Sequence, residues 1–189
     1  MIFKRRNKDS DLSGIIEGCV RKKPLAEREL FDRYANFGKN ICMRYASSDS
    51  EAEEMLCDGF LKIFTNIQKY DLSQPFEAWF RTIMVHSAID YFRKNHSRIE
   101  FTHLENARDI ENSEEHLKLL STEEIMDFVQ RLSPVYRMVF SLSVVEGYSH
   151  QEISQLLGTT ESAVRANLAK ARANLQNWIT EYISKQSKI

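Results

Sequence analysis

Ser149-His150-Gln151-Glu152-Ile153-Ser154-Gln155-Leu156-Leu157-Gly158-Thr159-Thr160-Glu161-Ser162-Ala163-Val164-Arg165-Ala166-Asn167-Leu168 reads as two helices around a tight turn. Ser149 and Glu152 have capping-box spacing, in which each side chain satisfies a backbone amide that the helix start leaves open. Ile153, Leu156 and Leu157 fall on one face of the short helix that follows. Gly158 can adopt the left-handed conformation that ends it. Thr159 and Thr160 can cap the next helix, which starts near Glu161 and turns Val164, Leu168, Ala171 and Leu175 inward. Two helices joined by a glycine-containing turn form the helix-turn-helix, whose second helix lies in a major groove of DNA. The outward positions of that helix are Ser162, Arg165, Ala166, Asn167, Lys170 and Arg172. Arg and Asn can pair bidentately with guanine and adenine edges, while Lys170 and Arg172 suit phosphates. A plain helical hairpin with a solvated polar face shares the periodicity, but cap, turn and basic face together favour a DNA reader.

The rest of the chain is also helical in pattern. Leu30, Phe31, Tyr34, Phe37, Ile41, Cys42 and Tyr45 keep the i, i+3, i+4 spacing, as do Leu56, Phe60, Ile63, Phe64 and Ile67. Ser50-x-x-Glu53 and Ser121-x-x-Glu124 give two more expected helix starts, and Pro75 and Pro134 stand where a first turn tolerates proline. No sustained period-two run occurs, so the expected fold class is all-α.

The 189 residues suit one modest domain or two small ones. With 42 % apolar and 28 % charged residues the chain can bury a core. Six glycines and three prolines, with no G-x-G-x-x-G or G-x-x-x-x-G-K-[ST] run, argue against a phosphate-cradling loop. The formal charge of −1 looks wrong for a nucleic-acid binder, but the total conceals its distribution. Ile99 to Asp127 holds nine acidic residues against Arg108 and Lys118, a net of −7, which leaves +6 for the rest. The expected organisation is therefore a helical domain over 1–98, an acidic flexible linker over 99–121 and a second helical domain over 122–189.

In the first domain, Tyr70-Asp71-Leu72-Ser73-Gln74-Pro75-Phe76 is a loop entering a helix that carries Trp79, Phe80, Arg81, His86, Tyr91, Phe92, Arg93 and Lys94. Aromatic faces stack on unpaired bases, and interleaved cations follow the phosphates of a single strand. Trp79, Phe80, Ile83 and Ile89 also read as core at helical spacing; Tyr70, Phe76 and the cationic end are the better contact candidates. The acidic helix from Glu51 to Ile67 turns Asp58, Leu61 and Lys62 away from its apolar stripe, a surface suited to a basic protein partner or simply solvated.

No 18-residue apolar run is present, and Lys4-Arg5-Arg6 is not followed by an apolar stretch of signal-peptide length, so a cytoplasmic protein is expected. Cys19, Cys42 and Cys57 form no C-x-x-C pair and read as buried free thiols. His86 with Asp90, or His103 with His116, lacks a third ligand or a nucleophile at a convincing spacing, so no metal, cofactor or catalytic residue is expected.

Glu51-Ala52-Glu53-Glu54 through Phe60-Leu61-Lys62-Ile63-Phe64, Phe76-Glu77-Ala78-Trp79-Phe80-Arg81 and Ala88-Ile89-Asp90-Tyr91-Phe92-Arg93-Lys94 resemble sigma region 2. Leu132-Ser133-Pro134, Val139-Phe140, Glu146-Gly147-Tyr148-Ser149-His150-Gln151-Glu152-Ile153, Leu157-Gly158 and Ala169-Lys170-Ala171-Arg172 resemble sigma region 4. Their order and spacing resemble an extracytoplasmic-function (group IV) bacterial RNA polymerase sigma factor of the Bacteroidetes type. The resemblance implies a non-enzymatic initiation factor. Asp58, Phe60, Leu61 and Phe64 would dock on the β′ clamp helices of core RNA polymerase. Tyr70, Asp71, Phe76, Trp79, Arg81, His86, Arg93 and Lys94 would engage the melted non-template strand of the minus-ten element. Ser162, Arg165, Asn167, Lys170 and Arg172, with His150 and Gln151, would contact the duplex minus-thirty-five element, and the second domain would also touch the β flap. An anti-sigma factor is an implied partner. Cys57, Val85-His86 and Ala166-Asn167 depart from residues common in the family, which bears on which promoter is read.

The reach is consistent with that implication. Two elements about two helical turns apart lie on the order of 70 Å apart, whereas a compact 189-residue globule has a radius of gyration near 16 Å, roughly. The linker 99–121, fully extended, spans about 80 Å. A one-component repressor using the helix-turn-helix alone would leave the aromatic-basic domain without a role.

Overall fold

The computed structural model describes residues 8–95 and 121–186, and among these every regular element is helical. The expected linker therefore lies, apart from Ser121, outside the described residues, as do His103 and His116. The chain divides into two compact units, Met1–Met43 with Ser48–Ala88, and Arg44–Ser47 with Ile89–Ile189. None of the described helices is long and apolar enough to cross a membrane.

The first unit is built from α1 (Lys8–Val20), α2 (Pro24–Cys42), α3 (Asp49–Asn66), a 3-10 turn at Ile67–Lys69 and α4 (Phe76–Asn95), which belongs to it through Ala88. Gly18 sets the α1–α2 approach: a Cβ there would lie 2.5 Å from the Ala26 Cβ, so only glycine permits this crossing. The capping of α3 differs from expectation. Ser48, two residues before Ser50, is the cap, and its hydroxyl accepts from the Glu51 amide at 3.2 Å. Serines at 47, 48 and 50 compete for one position, and the turn after α2 selects Ser48. Phe80 is fully buried at the centre of a ring cluster with Tyr34, Phe37, Phe60 and Phe76.

Two of the three thiols are buried as expected. Burial pushes Cys42 up to about 12 and Cys19 up to about 11, so both stay protonated and inert. Cys57 is the exception: it is exposed on α3, because the buried face of that helix passes through Leu56 and Phe60.

The second unit contains α5 (Thr122–Gln130), α6 (Pro134–Phe140), a π-helical turn at Ser141–Val145, α7 (His150–Leu157) and α8 (Glu161–Gln186). Leu132, Met138, Val139, Leu142, Ile153, Val164 and Leu168 form its core. The second half of α8 packs back on α5, where Phe128, Val129, Leu175 and Ile179 are buried and Trp178 and Tyr182 half-buried. Arg131 places its guanidinium over the rings of Phe128 and Trp178, 5.6 and 5.9 Å from their centroids. Arg137 is buried, and its guanidinium donates to the carbonyls of Val129, Gln130 and Leu132. The side chain thereby ties down the carbonyls where α5 ends and the turn to α6 begins, a place where helix carbonyls run short of backbone donors.

The Ser121 and Ser149 capping boxes both form as read from the sequence. Bonds from Ser149 hold the Glu152 carboxyl below the ordinary glutamate value of 4.5. The Tyr182 hydroxyl, 2.5 Å away, followed by Ser121, does the same for Glu124. Folding lowers both values, so their contribution is complete above the ordinary glutamate value and is lost as pH falls through the lowered folded-state values. Glu152→Gln is therefore expected to flatten the acid limb of the second unit's stability profile. Thermal melts across the acid range check this, and an unchanged limb would count against it.

Candidate nucleic-acid interface

The turn between α7 and α8 has the geometry its sequence demands. Gly158 sits at φ 66°, ψ 39°, the left-handed cap. The Thr159 amide then donates back to Ser154 O at 3.0 Å. Thr160, not Thr159, caps α8, with its hydroxyl oxygen accepting from the Ala163 amide at 3.2 Å. Ile153 and Leu157 from α7 and Ala163 and Val164 from α8 are buried, which fixes α8 by packing.

Of the expected duplex contacts, Gln151, Ser162 and Arg165 are exposed, and His150, Lys170 and Arg172 half-buried. Asn167 is a correction. It is 1 % exposed, and its Nδ2 donates to Ala163 O at 2.6 Å one turn back. Ala166 is buried beside it. The sequence reading assumes a single apolar stripe, but α8 is packed by α5, α6 and α7, and small residues at 163, 166 and 171 widen its buried arc. Asn167 therefore serves the helix interior, and Arg165 is the long donor fully outside it.

In the first unit, the loop before α4 is internally braced. The Ser73 amide donates to Asp71 Oδ1 at 2.9 Å, and the Gln74 amide to Asp71 O at 3.0 Å. The bonds from Ser73 hold the Asp71 carboxyl below its ordinary value, so Asp71 shapes the loop. The Tyr70 hydroxyl donates to Gln74 O, and its ring lies 5.2 Å from Trp79 and 5.3 Å from Phe76. Phe76, expected as a contact, is buried against Tyr34 and Phe80 and belongs to the core. The first turn of α4 must anchor on α2, and Phe76 is the apolar side chain that does so.

At about 100° per residue, Trp79, His86 and Arg93 share one face of α4, whereas Arg81 lies about 200° round from Trp79. Arg81 instead sits 5.9 Å from the centroid of the Phe37 ring. The structure thus brings together Tyr70 and Trp79, aligns His86 and Arg93 with them, and separates Arg81. His86, Arg93 and Lys94 are exposed. Leu72, 68 % exposed at the loop tip, was not singled out from the sequence. An apolar residue inside an otherwise polar loop is the signal that could have found it.

On α3, Asp58 and Leu61 are exposed, Leu61 by 64 %, while Phe64 is half-buried. Phe60, expected at a partner surface, is buried between the rings of Phe31 and Phe80. The i, i+4 spacing from Leu56 through Phe60 to Phe64 turns Phe60 inward. Phe31, read as core, is instead partly exposed above it. Lys39 reaches Glu53 at 3.1 Å and Asp49 at 3.7 Å, so α2 neutralises the start of the acidic face.

A helical chain with a capped helix-turn-helix in one unit and a braced aromatic loop beside exposed cations in the other belongs to the class of DNA-binding transcription proteins. The family model described as Sigma-70 region 2 matches residues 30–98, and that for Sigma-70 region 4 matches 122–175. The extracytoplasmic-function sigma factor SigE of Mycolicibacterium smegmatis is 24 % identical over 169 residues, covering 85 % of this chain and 64 % of the relative. The sigma factor CarQ of Myxococcus xanthus is 26 % identical over 157 residues, covering 82 % and 90 %. Among solved structures, sigma factor RpoE of Bartonella quintana, in complex with the anti-sigma factor NepR, is 14 % identical with a TM-score of 0.47, covering 81 % and 96 %. The chain belongs to the sigma-70 family, as an extracytoplasmic-function RNA polymerase sigma factor. It is an alternative sigma factor that directs transcription initiation.

Proposed function

We propose that this chain is a cytoplasmic group IV sigma factor of the Bacteroidetes type, with residues 1–98 as the core-binding and minus-ten domain and 122–189 as the minus-thirty-five domain. The observation that carries this reading is the pairing of chemistries in one chain: an exposed Arg165 on a capped reading helix, and Tyr70 with Trp79 at a braced loop. Arg165 and Ser162 read duplex edges, while Gln151, His150, Lys170 and Arg172 set the position of α8 on the phosphates. Tyr70 and Trp79 offer ring faces to the melted non-template strand, and His86, Arg93 and Lys94 follow its backbone. Asp58 and Leu61, flanked by Phe64, dock on the β′ clamp helices of core RNA polymerase, and the second domain touches the β flap. An anti-sigma factor competes for these surfaces. The chain itself contributes no catalytic group.

Run-off transcription with purified bacterial core polymerase and genomic promoter fragments tests the whole reading. Tight binding to duplex DNA alone, with specific initiation never seen, would sink it. Arg165→Ala is expected to cost about 1–3 kcal/mol of discrimination at one promoter position; equal losses at all positions would make Arg165 a phosphate contact instead. Asp58→Arg is expected to weaken core binding at least tenfold, roughly the loss of one well-placed interfacial charge, with folding intact. Unchanged core affinity in a pull-down titration would refute the docking face.

A further inference from the structure

The turn between α1 and α2 breaks a local rule at each of two successive positions. Its backbone closes α1 as a Schellman motif: the Lys22 amide donates to Cys19 O at 2.9 Å and the Lys23 amide to Gly18 O at 3.0 Å. That motif holds one residue in the left-handed region, where glycine is the usual occupant. Here the residue is Lys22, at φ 53°. Lys23 then takes the N-cap of α2, a position that favours Ser, Thr, Asp or Asn, and its side chain makes no cap hydrogen bond. A cation there also faces the positive end of the α2 dipole. Glycine followed by serine would make the more stable turn. Adjoining residues that local stability disfavours mark a place kept for something else.

The surroundings indicate what that is. Residues 20–25 are all exposed, so Arg21, Lys22 and Lys23 set three successive positive charges in solvent, with Leu25 83 % exposed beside them. A groove of about 580 Å³ opens next to the turn, and Ile15, Pro24, Leu25 and Ala26 supply its apolar lining. Gly14 lines it too. A Cβ on Gly14 would meet nothing within 4 Å, so nothing among the described residues fills that side of α1.

We propose that this turn and groove form a docking site for an acidic amphipathic helix of another protein. The apolar face of that helix lies in the groove against Ile15 and Leu25, and carboxylates on its flank meet Lys22 and Lys23. A nucleic-acid backbone fits less well. Glu17 and Glu29 line the same groove and repel a phosphate chain running through it, and phosphates gain nothing from an exposed leucine. A peptide keeps its acids at the rim, where Arg21 already neutralises Glu17 at 2.5 Å. The site does not depend on promoter or polymerase binding, since no residue assigned to either lies between 14 and 29.

A nuclear magnetic resonance titration of the full chain tests this. The probe is a helix-forming peptide of about 18 residues with leucines at i, i+3, i+4 and i+7 and glutamates along the flank. The same peptide with lysines for glutamates, and a single-stranded oligonucleotide, are the comparisons. The acidic peptide is expected to shift amides between Gly14 and Glu29, and the other two are not. Lys22→Gly combined with Lys23→Ser should raise the thermal midpoint of the first unit and weaken acidic-peptide binding about fivefold, roughly the loss of two surface charge pairs. Gly14→Gln puts its side chain into open space on a helix, so it should keep the fold while blocking the groove, with a comparable loss of binding. No shift between 14 and 29, equal shifts with the lysine peptide or the oligonucleotide, or undiminished binding by these variants would overturn the proposal, as would a lower midpoint in the double variant.

Discussion

Phe80→Ala is expected to cost the first unit about 3–5 kcal/mol, the range for deleting a buried phenylalanine ring. Phe80 is fully buried, and its ring lies 5.3 Å from Tyr34, 5.7 Å from Phe37 and 5.5 Å from Phe60, so one side chain of α4 joins both α2 and α3. Small domains have only about 5–15 kcal/mol in total, so the variant should stand close to unfolding at room temperature. Phe80→Leu, which keeps most of the volume, should lose clearly less. Urea titrations followed by circular dichroism measure both: the midpoint should fall while the slope stays fixed. A loss under about 1 kcal/mol would mean that the surrounding rings collapse into the space.

Val164→Asp should have a comparable effect on the other unit, for a different reason. Val164 is fully buried where α8 meets Ile153 and Leu157 of α7. A carboxylate placed there has no designed partner and loses several kcal/mol of hydration, roughly. The expected result is a chain whose second unit melts below ambient temperature and which lacks the minus-thirty-five recognition proposed for α8, while the first unit keeps its transition. Val164→Ala, which removes two methyl groups and adds no charge, should lower the transition without abolishing it. Retained promoter discrimination in the aspartate variant would show that α8 reads DNA without the α7 packing.

What the sequence made legible was whatever depends on local rules. The Ser121 and Ser149 boxes, the left-handed Gly158 and the inward Val164, Leu168 and Ala171 follow from spacing alone, and the structure has them all. The misreadings share a cause, which is that a helix packed on more than one side has no single apolar stripe. Asn167 lies opposite no partner in a one-stripe wheel but inside the arc that α5, α6 and α7 enclose. Phe60 and Phe76 look like contact aromatics only if the ring cluster around Phe80 is unknown, and that cluster is assembled from α2, α3 and α4.

The chain has two tryptophans, and they fall one to a unit: Trp79 against Tyr70 in the first, Trp178 under the Arg131 guanidinium in the second. Each unit thus has a private fluorophore. A single melting temperature for this protein would average two events that need not coincide, since two-state analysis presumes one cooperative body. Trp178→Phe leaves emission that reports α4 and its loop, and Trp79→Phe leaves emission that reports the packing of α8 on α5. The two units can in this way be timed separately in the intact chain during unfolding.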